Sequence, residues 1–347
     1  MVKVLIVDDS VFMRTVLRDM ITKDPSIEVV GTAANGVEGL EKIESLAPDI
    51  VTLDIEMPKM NGIQVLEELR KLKKRPKVLM VSSLTSKDAE MTHQAIRLGA
   101  DDFMLKPKDI PHVREIGSEL ISKILHIATL PAQRTIIRPA PGKTEAAKRV
   151  VLIGSSAGGP PMLDTLLAAL PADLPAGFMV TQHMPTGFTA PLAERFNRIS
   201  SMPVKETENG DTIETGKILL SKAGVHTIIS GVIEGKNTKT GRIVHSNAPP
   251  IHGVRPAVDK TFESAAQVYG KNIVSVTLSG MGNDAGEGAL AIKQAGGVNL
   301  VCDEKDCLVY GMARSVISKN AADKIFPLNK LAGEIERAVR KMEAGNV

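Results

Sequence analysis

Short, unbroken apolar runs recur along the chain, and the first of them ends in carboxylates. KVLIVDD opens the chain; DIVTLDIEMP and KVLMVSSLT repeat its form. Strands of a parallel sheet look like this, because helices cover both faces. Between the runs, apolar residues return at helical spacing: Phe12, Val16, Leu17 and Met20, then Val37, Leu40, Ile43 and Leu46. The pattern predicts strands near 3–7, 27–31, 49–53, 77–81 and 102–105, with a last helix over roughly 110–127. That is a doubly wound (βα)5 domain, flavodoxin-like in class.

From Leu130 the period disappears in LPAQRTIIRPAPGKTEAAK, a proline-bearing linker. Strand–helix alternation then resumes. RVVLIGSSAGG runs from a strand into a glycine-rich turn, PMLDTLLAAL is a helix with proline at its start, and GFMVTQHMP is a strand ending at a histidine. FTAPLAERFNRI and RPAVDKTFESAAQVYG are helices; NIVSVTLSG is a strand, NDAGEGALAIKQAGG a helix, VNLVCDE a strand, and Met312 to Ser318 a helix. Residues 201–246 carry short β-prone pieces split by ENG, KAG and EGKNTKTG, and read as hairpins at a domain edge. The fold class is therefore α/β, with two doubly wound parallel sheets, the second Rossmann-like with edge hairpins. The domains are 1–128 and 148–347, joined by a linker over 129–147.

Bulk composition narrows the class. The chain has 347 residues, 43% apolar and 24% charged, with a formal charge of +3. These values suit a soluble two-domain protein and give no basic stripe for nucleic acid. Cys302 and Cys307 lack a CxxC spacing, which suits reduced thiols in the cytoplasm. No apolar run reaches the roughly 18 residues of a membrane helix, so no membrane insertion is expected. MVKVLIVDDS has no signal-peptide layout, because charges follow its apolar run at once.

Ligands of parallel sheets bind at the C-terminal ends of strands. Asp8 and Asp9 follow the first strand, Asp54 ends the third, Ser82 the fourth, and Lys106 follows the fifth. Converging carboxylates repel unless a cation joins them, and Mg²⁺ takes carboxylate oxygen while keeping waters for a phosphoryl group. Lys106 and the Ser82 hydroxyl can contact phosphoryl oxygens, leaving Asp54 as the nucleophile of an aspartyl phosphate. VDDS, LDIEMPKMNG, MVSSLT and Lys106-Pro107 resemble the response-regulator receiver family over about residues 1–125. The resemblance implies that Asp8, Asp9 and Asp54 hold Mg²⁺, that Asp54 is phosphorylated from a histidine kinase, and that Phe103 occupies the aromatic switch position.

In the second domain, Gly154-Ser155-Ser156-Ala157-Gly158 reads GxSxG directly after a strand. Such a turn pushes its serine out of the sheet and lets substrate approach. Ser156 is central, and Ser155 reads as a turn residue. Of the seven histidines, His183 sits where a second strand ends, and Asp284 follows a third. Nucleophile, base and orienting acid would then come from three strands of one sheet. The order Ser…His…Asp disfavours the α/β-hydrolase fold, whose order is Ser…Asp…His.

IGSSAGG, QHMPTGFTAPLAERF, HGVRPAVDKTFESAA and LSGMGNDAGEG resemble the chemotaxis protein-glutamate methylesterase family over residues 149–347. The resemblance implies hydrolysis of glutamate methyl esters on methyl-accepting chemoreceptors by Ser156, His183 and Asp284, with Met281 and Gly282 supplying oxyanion N–H groups and no cofactor at the ester site. It also implies a receiver that covers the active-site mouth until Asp54 is phosphorylated. Some members deamidate receptor glutamines. Two departures stand out: Ala157 where the family usually has threonine, and Ala285 where it usually has glycine. They leave open a catalytically weakened binding protein on the same fold. A response regulator with another output is the further alternative, but a DNA-binding one would need a compact helix-turn-helix and a basic stripe, and neither is visible.

Overall fold

The computed structural model describes residues 1–72, 74–83, 86–106, 113–129, 145–234 and 238–345. The chain divides into two compact units, Met1–Gln133 and Arg134–Val347. Most of the expected linker lies outside the described residues. Thr129 still belongs to a helix, and Ala147, also placed in the linker by sequence, donates to Ile213 O at 2.8 Å and is buried. The second unit therefore begins its packing before Lys148.

The first unit runs β1 (Val2–Val7), α1 (Val11–Ile21), β2 (Ile27–Ala33), α2 (Gly36–Leu46), β3 (Ile50–Asp54), α3 (Gly62–Leu69), β4 (Lys77–Ser82), α4 (Ser86–Leu98), β5 (Asp102–Leu105) and α5 (Val113–Thr129). Its parallel sheet has the order β2-β1-β3-β4-β5. Val4 and Ile6 of β1 meet Leu17 and Met20 of α1, the residues whose spacing announced the helix. Ser10 caps α1, its hydroxyl accepting the Met13 N–H at 3.2 Å. Residues 107–112, where the sequence starts the last helix, lie outside the described residues.

The second unit holds β6 (Val150–Ser155), α6 (Gly159–Ala169), β7 (Gly177–Gln182), α7 (Thr189–Ile199), β8 (Val204–Glu206), β9 (Ile218–Leu220), β10 (His226–Glu234) and β11 (Thr238–Ser246). It continues with α8 (Val258–Tyr269), β12 (Ile273–Thr277), α9 (Gly286–Gln294), β13 (Val298–Cys302), α10 (Gly311–Ser318), β14 (Lys324–Phe326) and α11 (Leu328–Glu343). Seven strands form one parallel sheet, β14-β13-β12-β6-β7-β9-β8. The chain leaves β6 toward β7 and later returns to its other side as β12, so the strand order reverses between β6 and β12. Open α/β sheets bind ligands in the crevice at such a reversal.

Of the hairpins expected over 201–246, one forms: β10 and β11 pair antiparallel as a separate two-stranded sheet against α8. β8 and β9 instead pair parallel and extend the main sheet. Three-residue strands are too short for a period to betray their direction. β14 and α11 also went unread; β14 is equally short. No helix among the described residues is long and apolar enough to cross a membrane.

Phe262 of α8 is fully buried; a Cβ on Gly288 would lie 2.5 Å from Phe262 Cβ, and one on Gly154 would lie 2.6 Å from Val258 Cγ1 and in ordinary contact with the Phe262 ring at 3.5 Å. Truncating it leaves a cavity under the switch point. Phe262→Ala should destabilise the second unit by about 3–5 kcal/mol, read as the shift of that unit's urea transition. A loss below about 1 kcal/mol would mean that this is not its core.

Candidate active site

The acidic pocket of the first unit forms where the ends of β1, β3, β4 and β5 meet. Asp8 and Asp54 are buried, Asp9 is exposed, and Ser82 is buried with its hydroxyl 3.3 Å from that of Thr92. Lys106 Nζ lies 2.9 Å from Asp8 Oδ2 and 2.7 Å from Asp54 Oδ2. Burial pushes Asp54 up to about 6; Lys106 and the Ile55 N–H oppose this, and the Asp8 charge adds to it. Carboxylate oxygens of Asp8, Asp9 and Asp54 lie within 4.8 Å of one another. Asp8 Oδ2 is buried without an aligned hydrogen-bond donor among the described residues, its cationic neighbour there being the Lys106 ammonium. An all-oxygen set with an unsatisfied anionic atom fits a hard divalent cation such as Mg²⁺. Phe103 is buried in β5, its ring centre 5.9 Å from Lys123 Nζ.

In the second unit, β12, β6 and β7 are neighbours and bring Asp284, Ser156 and His183 to one edge. The GxSxG turn is sterically dictated. Gly158 has φ +74°, and a Cβ on Gly159 would lie 2.4 Å from Gln182 Oε1. Ser156 N–H donates to Ser279 O at 2.9 Å, fixing the turn to the end of β12.

The two serines differ in environment. Ser155 is fully buried and donates to Gln182 Oε1 at 2.6 Å. Ser156 is partly exposed, and its hydroxyl makes no hydrogen bond among the described residues. Base and acid are joined: His183 Nε2 lies 2.7 Å from Asp284 Oδ2. With Nε2–H donating to the carboxylate, Nδ1 is the nitrogen left to accept a proton.

Asp284 is almost fully buried, yet it accepts three backbone N–H groups: Val258 at 2.6 Å, Asp259 at 2.8 Å and Ala285 at 3.0 Å. The first two are the opening amides of α8, the positive end of its dipole. Burial raises the pKa of Asp284, but the His183 contact and these amides outweigh it and hold the carboxyl below the usual range. The acid is thus ionised and able to stabilise an imidazolium.

Met281 and Gly282 form the tip of the loop after β12. Met281 is exposed, Gly282 has φ +83°, and neither N–H makes a hydrogen bond among the described residues. The base of the loop is fixed: Gly280 N–H donates to Val309 O at 2.9 Å, and Met312 N–H donates to Gly280 O at 3.0 Å. Two free amides on a pinned loop beside Ser156 can receive an oxyanion.

Known proteins resemble both units of the chain. The CheB methylesterase family model matches residues 151–335, and the response regulator receiver domain model matches residues 4–116. The protein-glutamate methylesterase/protein-glutamine glutaminase 1 of Methanospirillum hungatei is 54% identical over 344 residues, covering 99% of each chain. The Symbiobacterium thermophilum protein-glutamate methylesterase/protein-glutamine glutaminase is 42% identical, covering 97% of each. The crystal structure of the Thermotoga maritima CheB methylesterase catalytic domain matches with a TM-score of 0.51 and 36% identity, over 55% of this chain and 97% of that one. The chain belongs to the CheB methylesterase family.

Within that family frame, Gln182 is the residue that sequence reasoning passed over. Its Nε2 donates to the carbonyls of Ser156 and His183, each at 2.9 Å, while its Oε1 holds Ser155. One side chain therefore ties the serine turn to the histidine. The only sequence signal is its place before His183 in QHMP. Ser279 was missed too; its hydroxyl donates to Ala157 O at 2.6 Å and so ties the serine turn to the loop after β12 through backbone, whatever side chain stands at 157.

Ala285, the N-cap of α9, has φ +83° and is fully buried. Glycine would relieve about 1–2 kcal/mol of left-handed strain. It would forfeit about 0.8 kcal/mol for the buried methyl and about 0.5–1 kcal/mol of backbone entropy. Ala285→Gly should therefore leave the stability of the second unit within about 1 kcal/mol of wild type by urea unfolding, and a larger shift either way would contradict this balance.

Asp54 generates an opposite sign. Its folded pKa lies above the ordinary value of 3.8, so its ionised form opposes folding above about pH 6. Receiver stability should rise as pH falls from about 6 toward 3.8. Asp54→Asn removes the charge but also a partner of Lys106. It should stabilise the receiver by about 1–3 kcal/mol near pH 8 in metal-free buffer, with the gain fading as pH falls through about 6. A receiver transition less stable than wild type near pH 8 would refute this.

Proposed function

We propose that this chain is a phosphorylation-controlled protein-glutamate methylesterase of chemotaxis adaptation, acting on methyl-accepting chemoreceptors and taking receptor glutamine amides as well. The observation that carries this reading is the 2.7 Å His183–Asp284 bond, after the strands that flank β6, beside a Ser156 hydroxyl with no hydrogen bond among the described residues. Ser156 Oγ attacks the ester carbonyl as His183 Nδ1 takes its proton, and Asp284 stabilises the imidazolium. The Met281 and Gly282 N–H groups receive the oxyanion, a contribution of roughly a hundredfold or more in rate. His183 returns the proton to the departing methoxide, releasing methanol. Water then gives its proton to His183 and attacks the acyl-enzyme; glutamate leaves and Ser156 is re-protonated. With glutamine, ammonia leaves in the first step.

In the receiver, Asp54 takes a phosphoryl group from a histidine kinase, with Lys106 and Ser82 contacting its oxygens. Asp8, Asp9 and Asp54 would hold Mg²⁺, which when bound offsets the phosphoryl charge. Phosphorylation relieves restraint on the esterase unit. The free thiols Cys302 and Cys307 suit a reducing cytoplasm. A catalytically weakened relative is less well supported, since nucleophile, base and acid are all present.

Methanol release from methylated receptor membranes, with and without a small phosphodonor, tests the whole assignment. Ser156→Ala should lose on the order of 10⁶ in rate, whereas Ser155→Ala should keep most activity. Adding His183→Ala to Ser156→Ala should cost little more, because the groups act as one unit. Asp54→Asn should abolish stimulation by the phosphodonor but leave basal turnover. Activity surviving in Ser156→Ala would end the serine mechanism.

A further inference from the structure

Behind the His183–Asp284 pair stands a second one. Asp259, in the first turn of α8, is buried, and its Oδ2 lies 3.1 Å from His252 Nε2. Its Oδ1 accepts the Gly288 N–H of α9 at 2.8 Å. Asp284, just ahead of α9, in turn accepts the first two amides of α8. The two helices therefore exchange carboxylates: an acid near the start of each sits on the N-terminal amides of the other. This reciprocity fixes the α8–α9 angle and with it the position of Asp284. It also sets a second ionisable acid beside the one that orients the catalytic base.

We infer that Asp259 is a positioning residue for the esterase, holding α9 against α8 and adding its charge to the field on Asp284 and His183, with His252 setting how much of that charge is expressed. The inference rests on the proposed serine-esterase reading. Burial pushes Asp259 up to about 6; the Gly288 amide opposes this, the Asp284 charge adds to it and His252 opposes it. Its charge therefore changes within the pH range in which a histidine base works.

Other titratable groups near α8 are committed elsewhere. Glu287 of α9 pairs with Lys319, and Lys260 with Glu263. His226 of β10 spends its ring nitrogens on the Ala257 N–H and the Pro249 carbonyl. His245 of β11 bonds Thr207, Arg242 is exposed, and Arg255 donates to the carbonyls of Asn247 and Ala248. β6 and β12 carry no titratable side chain. His252, by contrast, is exposed to solvent through its ring and faces Asp259 directly.

The sign follows from charge. An anionic Asp259 favours the imidazolium of His183, so removing it should disfavour that form. Asp259→Asn keeps an acceptor for the Gly288 N–H, and the fold with it. The acid limb of kcat/KM for methanol release should move down by about half a pH unit or more, the size expected of one nearby charge in a partly screened interior. His252→Gln keeps a donor without a charge. It should move the limb in the wild-type background and leave it in place in the Asp259→Asn background, because it acts through Asp259.

Thermal unfolding of each variant separates fold from field. A uniform fall in rate with the limb unmoved in both single variants would overturn the inference and reduce Asp259 to a structural acid. A shift in Asp259→Asn with none in His252→Gln would keep Asp259 and strike out His252. If Asp259→Asn fails to fold, the limb of His252→Gln decides alone. If the wild-type chain releases no methanol, or Ser156→Ala still does, the esterase reading falls and takes this inference with it.

Discussion

One buried negative charge organises the catalytic unit. Asp284 is almost out of contact with solvent, and an ionised carboxylate there is tolerable only if its oxygens are saturated with donors. Three backbone amides and one imidazole meet that demand. They come from three stretches of chain: the imidazole from the end of β7, two amides from the start of α8 and one from the start of α9. The sheet supplies the spacing, since β12, β6 and β7 are adjacent, and the helices supply the field. Remove the charge and there is no reason for α8 to point its first turn at the end of β12.

The receiver treats its acid in the opposite way. Asp54 receives one backbone amide and one ammonium, too little to offset burial, and it is pushed up where Asp284 is held down. The difference matches the two tasks proposed for them. An orienting acid must stay ionised and still while chemistry happens beside it. A phosphoryl acceptor must be under-satisfied, so that a cation and a new group have something to complete.

Much of this was legible in the sequence because parallel strands buried on both faces leave continuous apolar runs, and the residues that follow those runs sit at the reactive edge of a sheet. Asp8, Asp9, Asp54, Ser82, Lys106, Ser156, His183 and Asp284 all stand there. What stayed hidden was set by contacts between distant segments. Gln182 acts through the carbonyls of Ser156 and His183, and Asp259 through an amide of α9, so apart from the place of Gln182 before His183 their local sequence does not mark them. β8, β9 and β14 are too short to show a period, and the direction in which β8 and β9 pair depends on how the intervening loops cross the sheet. Ala285 could be seen as a departure from the family, but only its backbone angle shows what that departure strains.

The strand order also fixes a sequence of events during synthesis. All five strands of the receiver sheet pair with near neighbours in the first third of the chain, so that unit can assemble as soon as it leaves the ribosome. The esterase cannot. β6 lies in the centre of its sheet, and one of its two edges stays open until β12 has been made, after all of β7 to β11. Asp284 and the loop of Met281 and Gly282 come later still. Long-range pairing of this kind is slow to form. The topology thus ensures that a nascent chain carries its regulator before it carries any activity to regulate.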